Sequence, residues 1–436
     1  MSLGHTMRAL AREIFLDALN EAGIGEAFER HVSYDRGVLR VCEDLYDLKS
    51  YSRVQVISLG KAAHRMAEIL SRQLGSTVQG IIGDPNPSAY QLPGYRYFNG
   101  GHPQPNQESL RAAEAILKSL GALNEQSLAI FLISGGGSAA VEKPVDDEIS
   151  LPDLIATYKA LVVSGAPIAQ INAVRKHLSA TKGGAMARAA HPAQQVSILV
   201  SDVPENALDF LSSGPTMPDT STLADCYRIV REYKMLPEFP SSVRELFDRH
   251  ALAETPKKDD PAFARSRWWK ILSNETAEKA AAARASRHGF AVEIDHSCDD
   301  WDYAKAADYL LGRLREMKQG VSKACIVSGG EVTVKVTGNA GTGGRNQHFA
   351  LYCAEKIAGE NIVVLSAGTD GIDGASPAAG AVVDGTTTQR ALAAGLDPVQ
   401  HLSAFNSYPL FQKLGDLIET GPTGNNVRDL RILMAY

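Results

Sequence analysis

The sequence has few cysteines and lacks long apolar segments. Its 436 residues include five cysteines, which are scattered and form no C-x-x-C pair. This pattern argues against a disulfide framework or a cysteine zinc site, and we expect free thiols in a reducing cytoplasm. No apolar run approaches the roughly 20 residues of a membrane helix, and the N-terminus shows no signal-peptide core. We therefore expect a cytoplasmic protein with no membrane partner.

An excess of positive charge is also missing. Lys and Arg number 44 against 50 Asp and Glu, which gives a net charge of −6. Because no overall field attracts nucleic acid, we expect no nucleic-acid partner. A basic site for an acidic substrate would have to be local.

Familiar nucleotide-binding and hydrolytic motifs are absent as well. The single Gly-Lys pair, Gly60-Lys61, has Gln55 where a P-loop needs glycine and Ala62 where it needs Ser or Thr. No G-x-G-x-x-G follows a strand, and neither H-E-x-x-H nor G-x-S-x-G occurs. An enzyme that handles phosphate by other means is compatible with these absences.

Length and hydrophobic patterning predict two α/β domains. The chain is 44% hydrophobic and exceeds the roughly 250 to 300 residues that a single core usually reaches. Short β-branched runs that lead into helix patterns are typical of mainly parallel sheets covered by helices. These runs cover residues 54–59, 128–133, 196–200, 324–327 and 362–365. The polar stretch 254–261 is the predicted linker, which gives domains 1–255 and 256–436.

A glycine-rich run at 341–347, GTGGRNQ, stands between a predicted strand at 331–337 and a predicted helix. The helix prediction uses the apolar spacing of Ala350, Cys353, Ala354 and Ile357. Such a turn offers backbone N–H groups to an anion such as phosphate. Arg345 at the helix start opposes the helix dipole, which an anion between the two would explain. Alternatively, Arg345 is a solvated side chain on a flexible loop.

Lys61 has a similar placement, because it follows the run 54–59 and a glycine and opens a helix pattern. Two such cations favour a shared anion, whereas Lys61 alone is compatible with a solvated surface residue. The turn SGGGS at 134–138 follows the run 128–133. It is either a backbone site for phosphate or a tight corner that needs glycine.

Three aspartates stand at or beyond strand ends, where α/β sheets bind ligands. Asp202, Asp370 and Asp373 suit a hard cation such as Mg²⁺, which takes one or two protein oxygens together with phosphate oxygens and water. Asp202 and Asp373 could instead be turn or N-cap residues. The segment 175–184, which includes Lys176, is either a basic rim for an acidic substrate or the polar face of a helix.

Seven motifs, in this order, resemble the glycerate 2-kinases with a C-terminal MOFRL domain. The similarity runs from the first helix to the last strand and covers nearly the whole chain. The motifs read LISGGGSA (132–139), KHLSATKGG (176–184), SDVPEN with SSGPTMPDTST (201–206 and 212–222), SGGEVTV (328–334), GTGGRNQ (341–347), SAGTDGIDG (366–374) and GPTGNNVRDL (421–430).

The resemblance implies ATP-dependent phosphorylation of D-glycerate to 2-phosphoglycerate with Mg²⁺. It also implies two α/β domains with a cleft between them: a larger, Rossmann-like N-terminal domain and a smaller C-terminal domain with the MOFRL region at about 323–430. ATP and D-glycerate are the expected small-molecule partners, and a homodimer is left open. The family pattern favours Lys61 and Arg345 as catalytic cations.

The candidate site residues divide by role under this hypothesis. The catalytic candidates are Lys61, Arg345 and Asp202, and the substrate-binding candidates are Lys61, Arg345 and Lys176. The metal candidates are Asp370, Asp202 and Asp373, and the division of roles among them stays open. The predicted ATP-phosphate contacts are Ser134, Gly135, Gly136, Gly137, Ser138, Gly341, Gly343, Gly344 and Asn346.

Two other functions remain open. Members of this family have also been named hydroxypyruvate reductases, so an NAD(P)H-dependent hydroxypyruvate reductase is one alternative, although the dinucleotide fingerprint is missing. The other is a non-catalytic sensor of sugar acids or nucleotides, which would bind ATP or glycerate without releasing ADP.

Overall fold

The chain divides into two compact units. The computed structural model describes residues 3–75, 78–86, 88–204 and 207–436. One unit is the continuous segment Phe28–Ile271, and the other combines Met1–Ala27 with Leu272–Tyr436.

The Phe28–Ile271 unit contains a small antiparallel sheet and a larger sheet of six strands. The small sheet consists of β1 (Val32–Asp35), β2 (Val38–Val41) and β3 (Asp44–Asp47). The larger sheet consists of β4 (Arg53–Leu59), β5 (Gln79–Asp84), β6 (Tyr95–Asn99), β7 (Ser127–Ser134), β8 (Gln194–Val200) and β9 (Ser266–Leu272).

The larger sheet has the doubly wound topology that a Rossmann-like prediction requires. Its strand order is β6-β5-β4-β7-β8-β9, and β4 to β8 pair in parallel. The chain starts at β4, moves outward through β5 and β6, and then returns to place β7 on the other side of β4. The order therefore reverses between β4 and β7, and such a topological switch point is where open α/β sheets bind ligands. The predicted strands at 54–59, 128–133 and 196–200 are confirmed.

The sheet of the other unit is mixed rather than mainly parallel. Its strands are β10 (Ala291–Ile294), β11 (Ala324–Gly329), β12 (Ile362–Gly368), β13 (Gly380–Asp384), β14 (Leu417–Ile418) and β15 (Asp429–Ala435). They lie in the order β10-β11-β15-β12-β13-β14, and only β10 and β11 pair in parallel among these neighbours.

The prediction of a mainly parallel sheet is wrong for this unit because β15 lies between β11 and β12. It runs antiparallel to both, and all of its residues are buried. The flanking strands β11 and β12 consequently point the same way. Their carboxyl ends lie at one edge of the sheet, beside the first residue of β15.

The helices of the described residues are α1 (Leu3–Glu21), α2 (Ile24–His31), α3 (Ala63–Leu74), α4 (Gln107–Leu120), α5 (Gly137–Ala140), α6 (Leu151–Val163), α7 (Ile168–His177), α8 (Ala185–Ala190), α9 (Leu223–Glu232), α10 (Ser241–Asp248), α11 (Asn274–Arg287), α12 (Tyr303–Gly320), α13 (Arg345–Lys356), α14 (Thr387–Ala393), α15 (Pro398–Ser403) and α16 (Ser407–Leu414). Short 3₁₀ segments occur at Leu48–Ser50, Leu208–Ser213, Leu236–Glu238 and Pro261–Phe263. None of the described helices combines the length and apolar character that a membrane span requires. All five cysteines are free thiols.

Two elements explain why the units differ from the predicted domains 1–255 and 256–436. Helix α1 packs on α11 and β12, because its apolar positions Ala11, Ile14, Phe15 and Ala18 form one fully buried face. The N-terminal helix therefore belongs with residues Leu272–Tyr436. Strand β9 follows the predicted linker but extends the six-stranded sheet, which moves the boundary to Ile271.

The glycine-rich run at 341–347 leads into α13, as predicted, and the four predicted apolar positions of that helix are buried. The predicted strand at 331–337 is absent. This segment makes only an isolated bridge, between Thr333 and Asp302, and Val332 is its one buried valine. Among the described residues, the alternating valines of 331–337 therefore have no neighbouring strand to pair with. The last strand before the glycine-rich run is β11, which ends at Gly329.

A buried ion pair lies in the Phe28–Ile271 unit. Lys182 contacts the carboxylate of Glu142, and both side chains are almost fully buried. Tyr158 donates to Glu142 Oε2 at 2.7 Å and Ser179 to Oε1 at 2.5 Å, while Lys182 also donates to the Ser138 carbonyl at 2.9 Å. A buried carboxylate that loses its cation remains charged in a medium that solvates it poorly.

We therefore expect Lys182→Met to lower the free energy of unfolding by about 3 to 5 kcal/mol. Lys143→Met is the matched control, because Lys143 pairs with the exposed Asp147 and such surface pairs contribute about 1 kcal/mol or less. Urea unfolding followed by circular dichroism measures both variants. Adding Glu142→Gln to Lys182→Met removes the uncompensated carboxylate charge and should restore part of the lost free energy of unfolding. Equal midpoints for the two single variants would contradict a stabilising role for the buried pair.

Candidate active site

The turns after β4 and β7 meet at the topological switch point. Gly60 follows β4 with φ +108°, and a Cβ at this position would overlap the Ser134 carbonyl. The backbone N–H of Lys61 donates to the Gly135 carbonyl at 2.8 Å, and that of Ala62 donates to Ser134 Oγ at 3.0 Å. Glycine at position 60 thus allows the two strand ends to approach closely enough to be joined by hydrogen bonds.

The side chain of Lys61 lies across the glycine turn. Gly136 has φ +84°, and a Cβ built on it would stand 3.0 Å from Lys61 Cγ and 3.2 Å from His102 Cδ2. A Cβ on Gly135 would overlap the carboxylate of Asp202, which follows β8. The structure therefore brings Lys61, the predicted 134–138 turn and Asp202 together, and it adds His102.

Lys61 is the exposed cation of this group. Within the ranges that the structure describes, its ammonium makes no ion pair and no side-chain hydrogen bond. The serines of the turn instead support its shape: Ser134 is buried, and Ser138 Oγ lies 2.6 Å from Ser213 Oγ. A cation beside a glycine turn at a switch point can bind an anionic ligand.

Lys176 is almost fully buried in the same unit, with its side chain only 3% exposed. Its Nζ contacts Asp209 Oδ2 at 2.9 Å and Asp219 Oδ1 at 3.1 Å. Two internal carboxylates thus account for the charge of this lysine without a substrate. We do not retain Lys176 as a substrate-binding residue in the proposal below.

Arg345 is the first residue of α13, at the edge of the mixed sheet where β11 and β12 end. Its Nε donates to Asp429 Oδ2 at 2.6 Å and its Nη2 to Asp429 Oδ1 at 3.1 Å. The same Nη2 lies 2.8 Å from Glu331 Oε1. Asp429 opens β15 and Glu331 follows β11, so two strands and the start of α13 contribute to this arrangement.

The Arg345 guanidinium is held firmly but is not enclosed. Burial lowers the pKa of Arg345, but the hydrogen bonds and charge of Asp429, together with Glu331, raise it above its ordinary value overall. The side chain remains 37% exposed. Arg345 is thus fixed by its partners rather than being a flexible loop residue. Part of its side chain remains accessible and can bind an anion.

Asp373 follows β12, and its carboxylate lies against the first turn of α13. Its carboxylate accepts from the backbone N–H of Asn346 at 3.0 Å and of Gln347 at 2.9 Å. The Gln347 amide adds a third hydrogen bond at 3.0 Å. Burial raises the pKa of Asp373 to about 6, and the charge of Asp429 adds to this rise, while the bonds from Gln347 and Asn346 oppose it. Asp373 serves as the helix cap, so we do not retain it as a metal ligand.

The glycines before Arg345 also pack against the protein itself. A Cβ on Gly344 would overlap Asp373, and Cβ atoms on Gly341 and Gly343 would crowd Asn406 and Ser407. The side chain of Asn346 is buried, with its Oδ1 accepting from Ser366 at 2.6 Å. The space beside Gly341, Gly343 and Gly344 is therefore filled by side chains of the same unit. The backbone N–H of Gly341 donates to the Ala404 carbonyl at 3.1 Å and that of Asn346 donates to Asp373 at 3.0 Å.

Asp370 lies half-buried beyond β12, close to Asp429. From the Cβ position built on Gly368, Asp370 Oδ1 is 3.0 Å away and Asp429 Oδ1 is 3.4 Å away. The described residues contain no group of three or more His, Cys, Asp or Glu side chains arranged to hold a metal ion. A magnesium ion needs fewer, because phosphate and water oxygens complete its six ligands.

Sequence reasoning missed Asp429, Glu331 and His102. Asp429 and Glu331 lie inside recognised motifs, at the start of a strand and after a Gly-Gly pair, but nothing local indicates that they contact Arg345. His102 has a clearer signal, because GGHP follows the end of β6, at the carboxyl edge of the sheet.

Comparison with known proteins covers both units. Residues 10–248 match the family described as "Domain of unknown function (DUF4147)", and residues 324–429 match the MOFRL family. A D-glycerate 2-kinase from Thermotoga maritima is 37% identical over 387 residues, which cover 87% of this chain and 90% of that relative. A relative from Agrobacterium vitis, which bears a provisional hydroxypyruvate reductase name, is 36% identical over 88% of this chain and 87% of its own length.

A solved structure gives the same assignment. The crystal structure of glycerate kinase from Thermotoga maritima superposes with a TM-score of 0.84 at 33% identity and covers 99% of this chain and 100% of that chain. Since sequence and fold agree over most of the length, the chain belongs to the glycerate 2-kinase family, with an N-terminal DUF4147 region and a C-terminal MOFRL region.

Proposed function

We propose that this protein is a glycerate 2-kinase that transfers the terminal phosphoryl group of ATP to the 2-hydroxyl of D-glycerate, with Mg²⁺ as cofactor. The observation that carries the proposal is the exposed Lys61 ammonium over the glycine turn at the switch point. The sequence and fold relatives named as glycerate kinases supply the reaction.

Lys61 is proposed to bind the anionic part of the acceptor. An ammonium is a compact charge with three rotatable donors, which suits a carboxylate or a phosphoryl oxygen. Asp202, whose carboxylate lies against Gly135, is proposed to accept a hydrogen bond from the 2-hydroxyl and to direct its oxygen toward phosphorus. The turn from Ser134 to Ser138 remains the proposed phosphate contact in this unit.

Arg345 is proposed to stabilise the charge of the transferring phosphoryl group. Phosphoryl transfer depends on positioning and charge neutralisation rather than on covalent help from the protein. A guanidinium fixed in advance by Asp429 and Glu331 has little rotational freedom left to lose when an anion arrives. Its positive charge is secure because the same carboxylates raise its pKa.

Asp370 is the residue that we propose to hold Mg²⁺. When bound, the ion would neutralise charge on the nucleotide phosphates. Asp370 fits this role because its Oδ1 lies beside Gly368, which has no side chain to obstruct an ion, and near the Asp429 carboxylate. Asp429 is already paired with Arg345, so we assign the ion to Asp370 rather than to Asp429; Oδ1 of Asp370 also accepts from the backbone N–H of Ile372 at 3.1 Å.

A coupled ADP-release assay tests the proposed function. We expect ADP release that requires both D-glycerate and Mg²⁺, and phosphorus NMR of the product should show a phosphate ester at the 2-position. Loss of NADH or NADPH absorbance with hydroxypyruvate, in the absence of ATP, would establish the reductase instead. Binding of ATP or glycerate with no ADP release would indicate a sensor.

Lys61→Met should lower kcat/KM for D-glycerate by about 10²- to 10³-fold, because it removes a charge that meets the reacting anion. The melting temperature should stay unchanged, since Lys61 is exposed. Lys118→Met, at an exposed position on α4, is the matched control for loss of one surface charge. Activity of the Lys61 variant within about threefold of this control would reduce Lys61 to an ordinary surface residue.

Asp370→Asn should raise the Mg²⁺ concentration that gives half-maximal rate, because a hard cation loses a charged oxygen ligand. The titration is done at saturating ATP and D-glycerate. Asp308→Asn, on the exposed side of α12, serves as control and should keep the wild-type midpoint. A midpoint for the Asp370 variant equal to that of the control would show that the ion is held elsewhere.

A further inference from the structure

Asp299 lies in the segment after β10 and is joined to both sides of the Arg345 arrangement. Arg428 donates to its two carboxylate oxygens, from Nη1 to Oδ2 and from Nη2 to Oδ1, each at 2.6 Å. Asp299 Oδ1 also accepts from the backbone N–H of Glu331 at 3.1 Å. Asp299 thus contacts Arg428, the residue before Asp429, and the backbone of Glu331. Asp429 and Glu331 are the two residues whose carboxylates hold Arg345.

The contact with Glu331 fixes the turn after β11. Gly330 has φ +82°, its backbone N–H donates to Asn274 Oδ1 at 2.8 Å, and a Cβ on it would stand 2.7 Å from Asp299 Oδ1. The turn is therefore held by Asn274 at one residue and by Asp299 at the next. A backbone fixed at both positions limits the directions in which the Glu331 side chain can point.

The contact with Arg428 fixes the start of β15. Arg428 is buried with φ +73°, a region that residues other than glycine rarely occupy unless surrounding contacts impose it. Its carbonyl accepts from the backbone N–H of Thr369 at 3.0 Å and from Thr369 Oγ1 at 2.7 Å, while Asp299 holds its guanidinium. The residue immediately before Asp429 is thus constrained at both its backbone and its side chain.

The Asp299–Arg428 pair is charged on both sides. Burial raises the pKa of Asp299, but the hydrogen bonds and charge of Arg428 and the Glu331 N–H lower it below its ordinary value. Burial lowers the pKa of Arg428, but Asp299 raises it overall. A planar guanidinium and a carboxylate that meet through two parallel hydrogen bonds have a defined mutual orientation. The pair therefore fixes the relative positions of Asp299 and Arg428 in addition to neutralising their charges.

We propose that Asp299 is a positioning residue for phosphoryl transfer, which fixes Glu331 and Asp429 and through them aims the Arg345 guanidinium. The inference rests on the proposed function, because it assigns the phosphoryl group to Arg345. Asp299 lies outside the seven motifs of the sequence, and its role becomes visible only through its contacts with residues 32 and 129 positions away.

A double-mutant cycle in the ADP-release assay tests this. Asp299→Asn keeps the size of the side chain but loses the charge and one acceptor of the fork, and we expect kcat to fall about 10²-fold with KM values within about threefold. Arg345→Lys keeps the charge beside Asp429 and loses the planar fork. If Asp299 acts through Arg345, adding Asp299→Asn to Arg345→Lys should slow the reaction no further.

Losses that multiply in the double variant would overturn the proposal, because independent residues contribute additively to the activation free energy. Glu293→Gln is the matched control: Glu293 accepts from Arg313 Nη2 at 2.9 and 3.1 Å on the exposed side of the same unit. Alone it should leave kcat at the wild-type value, and added to Arg345→Lys it should leave kcat at the value of Arg345→Lys. Arg428→Lys, which breaks the same fork from its other side, should reproduce the kcat loss of Asp299→Asn.

A readout that needs no catalysis separates this inference from the proposed function. In protein labelled with ¹⁵N-arginine, the Arg345 Nε–H signal, assigned by its absence in Arg345→Lys, reports the bond to Asp429. We expect faster solvent exchange of this proton in Asp299→Asn than in Glu293→Gln. Equal exchange rates would overturn the positioning role even in an active enzyme, whereas a wild-type protein without kinase activity but with the expected exchange difference would overturn only the function.

Discussion

The ion pair between Arg345 and Asp429 joins the start of α13 to the start of β15, and the geometry of the mixed sheet makes it possible. Because β15 runs antiparallel between β11 and β12, its first residue lies at the edge where those two strands end. Glu331, Asp370 and Asp429 reach the same edge from three separate parts of the chain. If β15 ran in the opposite direction, Asp429 would lie at the opposite edge of the sheet, and Arg345 would lose its two hydrogen bonds to that carboxylate.

Structural features that depend on residues close in the sequence were predictable. The spacing of Ala350, Cys353, Ala354 and Ile357 identified the buried face of α13, and the strand-glycine-lysine pattern placed Lys61 correctly at a strand end. Features that depend on distant partners were not predictable. The valine alternation at 331–337 resembles a strand, yet whether a strand forms depends on a ladder partner that this segment lacks. Asp373 follows a strand as a metal ligand would, but its oxygens cap a helix that begins 28 residues earlier, as its contacts with Asn346 and Gln347 show.

The two glycine-rich turns show why a motif does not determine a site. Both are rich in glycine and both stand beside a cation, so their local sequences are similar. At Gly135 and Gly136 the missing side chains leave room for the Lys61 side chain and the Asp202 carboxylate at the surface. At Gly341 to Gly344 the same freedom allows the unit to pack its own Asp373, Asn406 and Ser407 against the backbone. The first turn lies beside an exposed lysine, whereas the second is packed against side chains of its own unit.

The composition of the unit formed by Met1–Ala27 and Leu272–Tyr436 has a consequence for how the protein is made. During synthesis the whole Phe28–Ile271 segment leaves the ribosome before the strands on which α1 packs. The apolar face of α1, with Ile14 and Phe15, must therefore stay exposed or be covered temporarily until residues beyond Leu272 appear. Because β15 is central to the sheet and is translated after its neighbours, this unit cannot close gradually from its N-terminal side. Its folding should be a late and cooperative event, with contacts between residues more than 370 positions apart, such as Arg8 and Asp384.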